Sequence, residues 1–298
     1  MTLGDLFRAD REDISSFESN DDYMRYSVEL YKEFFTFFNA VLCIDSICEK
    51  RLDKKKGILF GLLRKLGDIS LNYLNLLCNG SIDSIFILGR TSYEVMVTAL
   101  LMLNHYEDDS IFSDYIKYSL ITEKRFYELL EKDDENLDFQ ELKLMRERMK
   151  KSIKSSFDNS GFTVEELDIK HEQKNNFWCK TKIYERFEKV GFSRVYQIYR
   201  LACHATHGNW QSLDKNFISH NSNGEIEINY EKNHAKPQLV LPYIILHSEV
   251  LLKIIEKFGE SFEHKEILVE YMDSCLDEVT TLDKAHEVFL QKHGNHSH

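Results

Sequence analysis

The chain is nearly without proline: Pro237 and Pro242 are the only two in 298 residues, and glycine is scarce at 12. Sandwiches and barrels need turn-forming residues at short intervals, so this scarcity excludes them and predicts long helices joined by few loops. Paired cysteines are missing too. Cys43, Cys48, Cys78, Cys179, Cys203 and Cys275 form no C-x-x-C, and most fall in helical apolar patterns, as buried reduced thiols do. The opening stretch, MTLGDLFRADREDISSFESNDD, is polar and acidic with no apolar signal core. Reduced thiols and no signal predict a cytoplasmic protein. Positive charge is in deficit as well, with a formal net charge of −12. Phosphate neutralisation drives non-specific nucleic-acid binding, so a generic coat protein is excluded and an anionic membrane is disfavoured; a small basic cleft is still compatible. There is no Walker loop, G-x-G-x-x-G, G-x-S-x-G or H-E-x-x-H, which sets aside P-loop hydrolysis, Rossmann cofactors, hydrolase triads and zincin chemistry.

What is present is apolar and periodic. Hydrophobic residues make up 43% and aromatic ones 12%, a globular composition. Helical spacing predicts helices near 21–44, 53–77, 81–105, 109–130, 138–156, 182–190, 193–209, 238–258 and 261–291, with a short one at 164–169. NSNGEIEINY alternates about a turn, predicting a small β-hairpin near 215–232. The fold class is therefore all-α: a single multi-helix bundle, with a polar lead-in at 1–20, one helical domain over 21–291 and a disordered His-rich tail at 292–298. The helix at 81–105 is apolar on nearly every side, as a central helix is. Arg90 and Glu94 in its middle argue against a membrane span. Lys143, Arg146, Arg148, Lys150, Lys151 and Lys154 read as a solvated face.

Chemistry concentrates in SRVYQIYRLACHATHGNWQ. Residues four and seven apart share a helix face, which collects Gln197, Arg200, His204, His207 and Gln211 into one polar stripe. Arg200 suits a phosphate, and histidine can transfer a proton near neutral pH. Arg90 and Glu94, four apart, are costly to bury unless paired or solvated. They either form an internal ion pair fixing helix register, or line a pocket that faces the Arg200–His207 stripe. His204 and His207 could also hold a metal with Glu94, but the second Glu-x-x-His motif of carboxylate bundles is missing, so no metal or other cofactor is expected. His293, His296 and His298 belong to the tail.

The Arg-x6-His spacing of Arg200 and His207 is similar to the HEPN ribonuclease motif. That resemblance implies metal-independent RNA cleavage, in which one side chain assists 2′-hydroxyl attack and the arginine holds the phosphate charge. HEPN motifs often place a polar residue after the arginine, where Leu201 stands here. Two further segments, ILGRTSYEVMVTALLML and FWCKTKIYERFEKVGFSRVYQIYRLACHATHGNW, together resemble the bacterial helical family called domain of unknown function 5677, over about residues 55–260. This likeness implies that Arg90, Glu94, Tyr199, Arg200 and His207 belong to one site.

Two functions follow as expectations. The first is a HEPN-like endoribonuclease, of the kind deployed as toxins or phage-defence effectors. Arg200 and His207 would be catalytic with support from Glu94, Arg90 and His204, and Tyr199, Gln197 and Asn209 would contact RNA. The resemblance implies a homodimer, because HEPN clefts generally form across one. The second is a non-catalytic helical module that binds a protein partner or small ligand through a structural Arg/Glu/His pocket. No membrane partner is expected.

Overall fold

Ser19 starts the first helix. In the computed structural model its hydroxyl accepts from the Asp22 amide at 3.2 Å, and the Asp22 carboxylate accepts from the Ser19 amide at 2.9 Å. This reciprocal box satisfies two otherwise orphaned amides and fixes where α1 (Asn20–Leu42) begins. The structure describes residues 11–43, 52–79, 82–132, 140–167, 178, 181–207, 209–230, 235–260 and 264–293. The remaining helices are α2 (Lys54–Asn79), α3 (Ile82–Asn104), α4 (Asp109–Lys132), α5 (Gln140–Ser160), α6 (Ile183–Lys189), α7 (Val195–His207), α8 (Trp210–Asn216), α9 (Pro237–Phe258) and α10 (Lys265–His293). With one small hairpin, these make the described residues an all-α fold, as the near-absence of proline and glycine requires.

Contacts divide the chain into two compact units. One comprises the described residues up to Asn104 together with those from Phe187 onward; the other spans His105–Arg186. In the larger unit α3 is the hub, packing on α2, α7 and α9, while α1 packs on α2, α9 and α10. Tyr26, Leu30, Phe34, Phe37, Phe38 and Val41 of α1 are buried at helical spacing. Each such apolar side chain contributes about 1.5–3 kcal/mol on leaving water. Behind them lies a knot of tyrosines. Tyr73 and Tyr243 stack at 4.3 Å, and Tyr31 and Tyr93 meet Tyr243 edge-on at 5.6 and 5.8 Å. Two of the hydroxyls are directed to partners: Tyr73 donates to the Leu239 carbonyl at 2.7 Å, and Tyr243 donates to Ser92. His247 is buried with them. Its Nδ1 donates to the Tyr243 carbonyl at 2.9 Å and its Nε2 meets Ser70 Oγ at 2.9 Å, so the ring is satisfied as a neutral imidazole. Burial pushes its pKa down to about 4, against the backbone bond that favours charge.

The smaller unit has its own core, in which Leu120, Ile121, Tyr127 and Leu130 of α4 meet Ile153 and Phe157 of α5. Gly161, at φ 77, ends α5 in a left-handed turn open to a residue without Cβ. Trp178 donates its indole N–H to the Ile111 carbonyl at 3.1 Å, under the Arg186 guanidinium at 4.9 Å. The short helix expected at 164–169 is a turn at its described residues, held by Thr163 and Glu166 bonding each other's amides.

The hairpin pairs β1 (Ile218–His220) with β2 (Ile226–Ile228), Ile218 opposite Ile228. Asn221 folds the turn, its Oδ1 accepting from the Asn223 and Glu225 amides at 3.0 Å each. Among the four described cysteines only Cys275 is buried, and Cys43 and Cys78 are exposed. That corrects the burial expected from apolar patterning, because both exposed thiols lie at helix ends. Two helices, α3 and α9, are long and apolar enough to cross a membrane by composition, yet 67% and 61% of their apolar windows are buried inside the protein. The first ten residues of the lead-in and the tail beyond His293 lie outside the described residues.

Candidate functional site

Helix α7 is set in place by the turn before it. The Phe192 amide donates to the Phe187 carbonyl at 2.8 Å and the Gly191 amide to that of Glu188 at 3.0 Å, with Gly191 at φ 83. This Schellman arrangement ends α6 and redirects the chain. Phe187 then packs on Tyr196 and Tyr199 at 5.6 and 5.5 Å, and the two tyrosines stack at 5.7 Å. Tyr199 and Ala202 are the buried residues of α7, which packs against α3.

Tyr199 carries its hydroxyl to the two charges on α3. It donates to Glu94 Oε1 at 2.6 Å, while Arg90 Nε lies 3.4 Å from the same hydroxyl and 3.4 Å from Glu94 Oε1. The Arg90 guanidinium also rides 5.5 Å over the Tyr199 ring. Its Nη1 reaches His207 Nε2 at 3.5 Å, the outer limit of a hydrogen bond. Burial raises the Tyr199 pKa, and the bond to Glu94 raises it further, with Arg90 opposing. Burial disfavours charge on Arg90, but the bond to Tyr199 and the charge of Glu94 outweigh it and raise its pKa. The result is a neutral phenol between a fixed cation and a carboxylate, open on the solvent side, where Glu94 has 44% and Arg90 24% of its side chain exposed. Arg90 and Glu94 thus form an ion pair, one of the two alternatives left open by their spacing.

Of the expected residues, Arg90, Glu94, Tyr199 and His207 come together. Arg200 does not join them. It is exposed, and no hydrogen bond or ion pair ties it to the cluster among the described residues. Its neighbour Tyr199 takes the inward position, and one residue along a helix turns the side chain about 100°. Gln197 is exposed as well. His204 turns elsewhere, its Nδ1 bonded to Asn209 Nδ2. Asn209, expected to contact RNA, caps α8, with Oδ1 accepting from the Ser212 amide at 3.2 Å. This also corrects the stripe. The helix of Arg200 ends at His207, so Gln211 belongs to α8, a separate helix, and not to the stripe. Among the described residues no three His, Cys, Asp or Glu side chains converge as metal ligands do.

The model of a family of unknown function, DUF5677, matches residues 56–226. The chain belongs to this family. The matched span runs from α2 to the start of β2 and contains Arg90, Glu94, Tyr199, Arg200, His204, His207 and Asn209. It stops short of α9, which the expected range to 260 had included. No curated protein and no solved structure matches the chain.

Proposed function

We propose that this DUF5677 protein is a metal-independent endoribonuclease of HEPN-like type, with its site at Arg90, Glu94, Tyr199 and His207. The observation that carries this reading is the exposed imidazole of His207 at 3.5 Å from the guanidinium of Arg90. A phosphodiester held by that guanidinium has a proton-transfer group beside it. His207 accepts the 2′-hydroxyl proton as the oxygen attacks phosphorus, the P–O5′ bond breaks, and the imidazolium returns the proton to the 5′ oxygen. The products are a 2′,3′-cyclic phosphate and a free 5′-hydroxyl. Arg90 holds the charge that builds on the phosphoryl oxygens, and such donors are worth most where they are already oriented. Tyr199 and Glu94 supply that orientation. Arg200, exposed one turn before His204, steers the strand rather than the reaction. The toxin or phage-defence role and the homodimer both rest on the HEPN likeness.

Incubating labelled RNA with purified protein in EDTA tests the reading. Cleavage that persists in chelator, ends in a cyclic phosphate and is lost in His207→Ala supports it. Intact RNA under all conditions refutes it and leaves a non-catalytic binding module; cleavage only on adding metal refutes the mechanism.

A further inference from the structure

The hairpin of the larger unit turns its apolar face outward. Pairing sets Ile218 opposite Ile228 and His220 opposite Ile226, and paired residues share a face. One face therefore carries Ile218, Ile226 and Ile228, and the other carries Ser219, Glu227 and Asn229. Ile226 and Ile228 are 57% and 61% exposed, and Tyr230, two residues on, is 89% exposed. The main chain of β2 has an open side as well. The Asn229 amide donates to the Phe217 carbonyl at 2.8 Å, and the Asn221 amide to that of Glu225 at 3.1 Å. Bonded pairs alternate with unbonded ones along an antiparallel ladder, so Ile226 and Ile228 direct their N–H and C=O groups away from β1. Among the described residues β1 is the only strand beside β2, and no partner takes those outward groups. A two-stranded hairpin is marginal by itself, and an open apolar edge is a template for another strand.

A second copy of this chain fits that edge because the edge complements itself. Two β2 strands can run antiparallel about a two-fold axis in several registers, and charge separates them. An axis at Ile226 sets Glu225 opposite Glu227 twice, and an axis at Glu227 sets that glutamate opposite itself. Like charges in opposition destabilise a ladder. An axis at Ile228 pairs the stretch Ile226–Tyr230 with itself, Glu227 opposite Asn229 and Ile226 opposite Tyr230, and opposes no like charges there. In that register the outward N–H and C=O of Ile228 bond their own counterparts in the other copy. We propose that this chain dimerises through β2, in a four-stranded antiparallel sheet with Ile228 on the two-fold axis. The Ile226, Ile228 and Tyr230 side chains of both copies then form one continuous apolar stripe. This surface follows from the hairpin and does not depend on RNA cleavage at the Arg90–His207 cluster.

Sedimentation equilibrium of the full chain, run without RNA, tests this, and the nuclease reading can fail without touching it. The mass rises from 35.3 kDa towards twice that value. The Kd is on the order of 10 μM, as suits an interface at the small end of the range. Ile228→Pro deletes the outward N–H and no bond within the hairpin, and Ile228→Lys sets two cations on the axis. Each weakens the dimer roughly tenfold or more while the circular dichroism spectrum is kept. Mild oxidation of Ile228→Cys joins the two copies through position 228, mapped by mass spectrometry. Opposed bonded residues lie about 5.5 Å apart between Cα atoms, within disulfide reach. A monomer up to about 100 μM, a dimer unaltered in both Ile228→Pro and Ile228→Lys, or a dimer of Ile228→Cys without the 228-to-228 link overturns the proposal.

Discussion

Across the contact between α3 and α7, the Tyr199 hydroxyl donates to Glu94 Oε1 at 2.6 Å. The same oxygen lies 3.4 Å from Arg90 Nε, so one phenol positions both charges. In Tyr199→Phe the ring packing on Phe187 survives and this bond does not. A hydrogen bond to a charged group contributes about 1.5–3 kcal/mol, and the partial exposure of Glu94 reduces that to about 1 kcal/mol. Urea denaturation should show this small loss. RNA cleavage should fall far more, because the guanidinium loses its orientation. Equal, slight losses in both would refute a positioning role.

Arg90 and Arg200 separate by mutation. Arg90→Ala removes the guanidinium beside His207 and should lower cleavage by about 100-fold or more, the usual effect of deleting one oriented donor. Arg200→Ala removes an exposed charge and should chiefly raise KM, more so at low salt. A larger kcat loss for Arg200→Ala than for Arg90→Ala would restore the sequence motif over the observed cluster.

Stability should fall in mild acid because of His247. Its folded pKa of about 4 lies below the ordinary 6.5, so the native state resists protonation more than the unfolded chain does. The contribution is complete above pH 6.5 and is lost as pH falls towards 4. The shift corresponds to about 3 kcal/mol. Denaturation midpoints between pH 7 and 4 should decline with a slope that His247→Gln flattens; parallel slopes in both proteins would assign the decline to carboxylates instead.

Asp83 holds α8 to α3 through Ser212 and Asn216. A seven-residue helix has no independent stability, so these bonds and its Asn209 cap define it. Asp83→Ala should cost about 1–3 kcal/mol and speed proteolysis within Trp210–Asn216, read by mass spectrometry of limited digests. Unchanged cleavage there would show that the cap alone suffices.

The long helices were legible because burial imposes a 3.6-residue rhythm over twenty or more residues, as from Tyr23 to Val41. Arg90 and Glu94 were legible for the opposite reason, as charges interrupting that rhythm. Arg200 stands apart from the cluster because polarity is a poor guide to facing. A tyrosine is both apolar and polar, and Tyr199 is buried because its hydroxyl finds Glu94 there. No periodicity could place it ahead of its neighbour. Helix α8 was hidden by its length, since two turns hold too few residues to show a period, and its start lies in a side-chain bond from Asn209 that composition does not reveal.

The Arg90–Tyr199–Glu94 bridge also works as a vernier between two helices. A one-residue shift of register, about 1.5 Å along and about 100° around the α7 axis, would take the phenol off both charges at once. The site and the central packing therefore share a single coordinate, so a change that repacks α7 on α3 would be felt at Arg90 and Glu94 together.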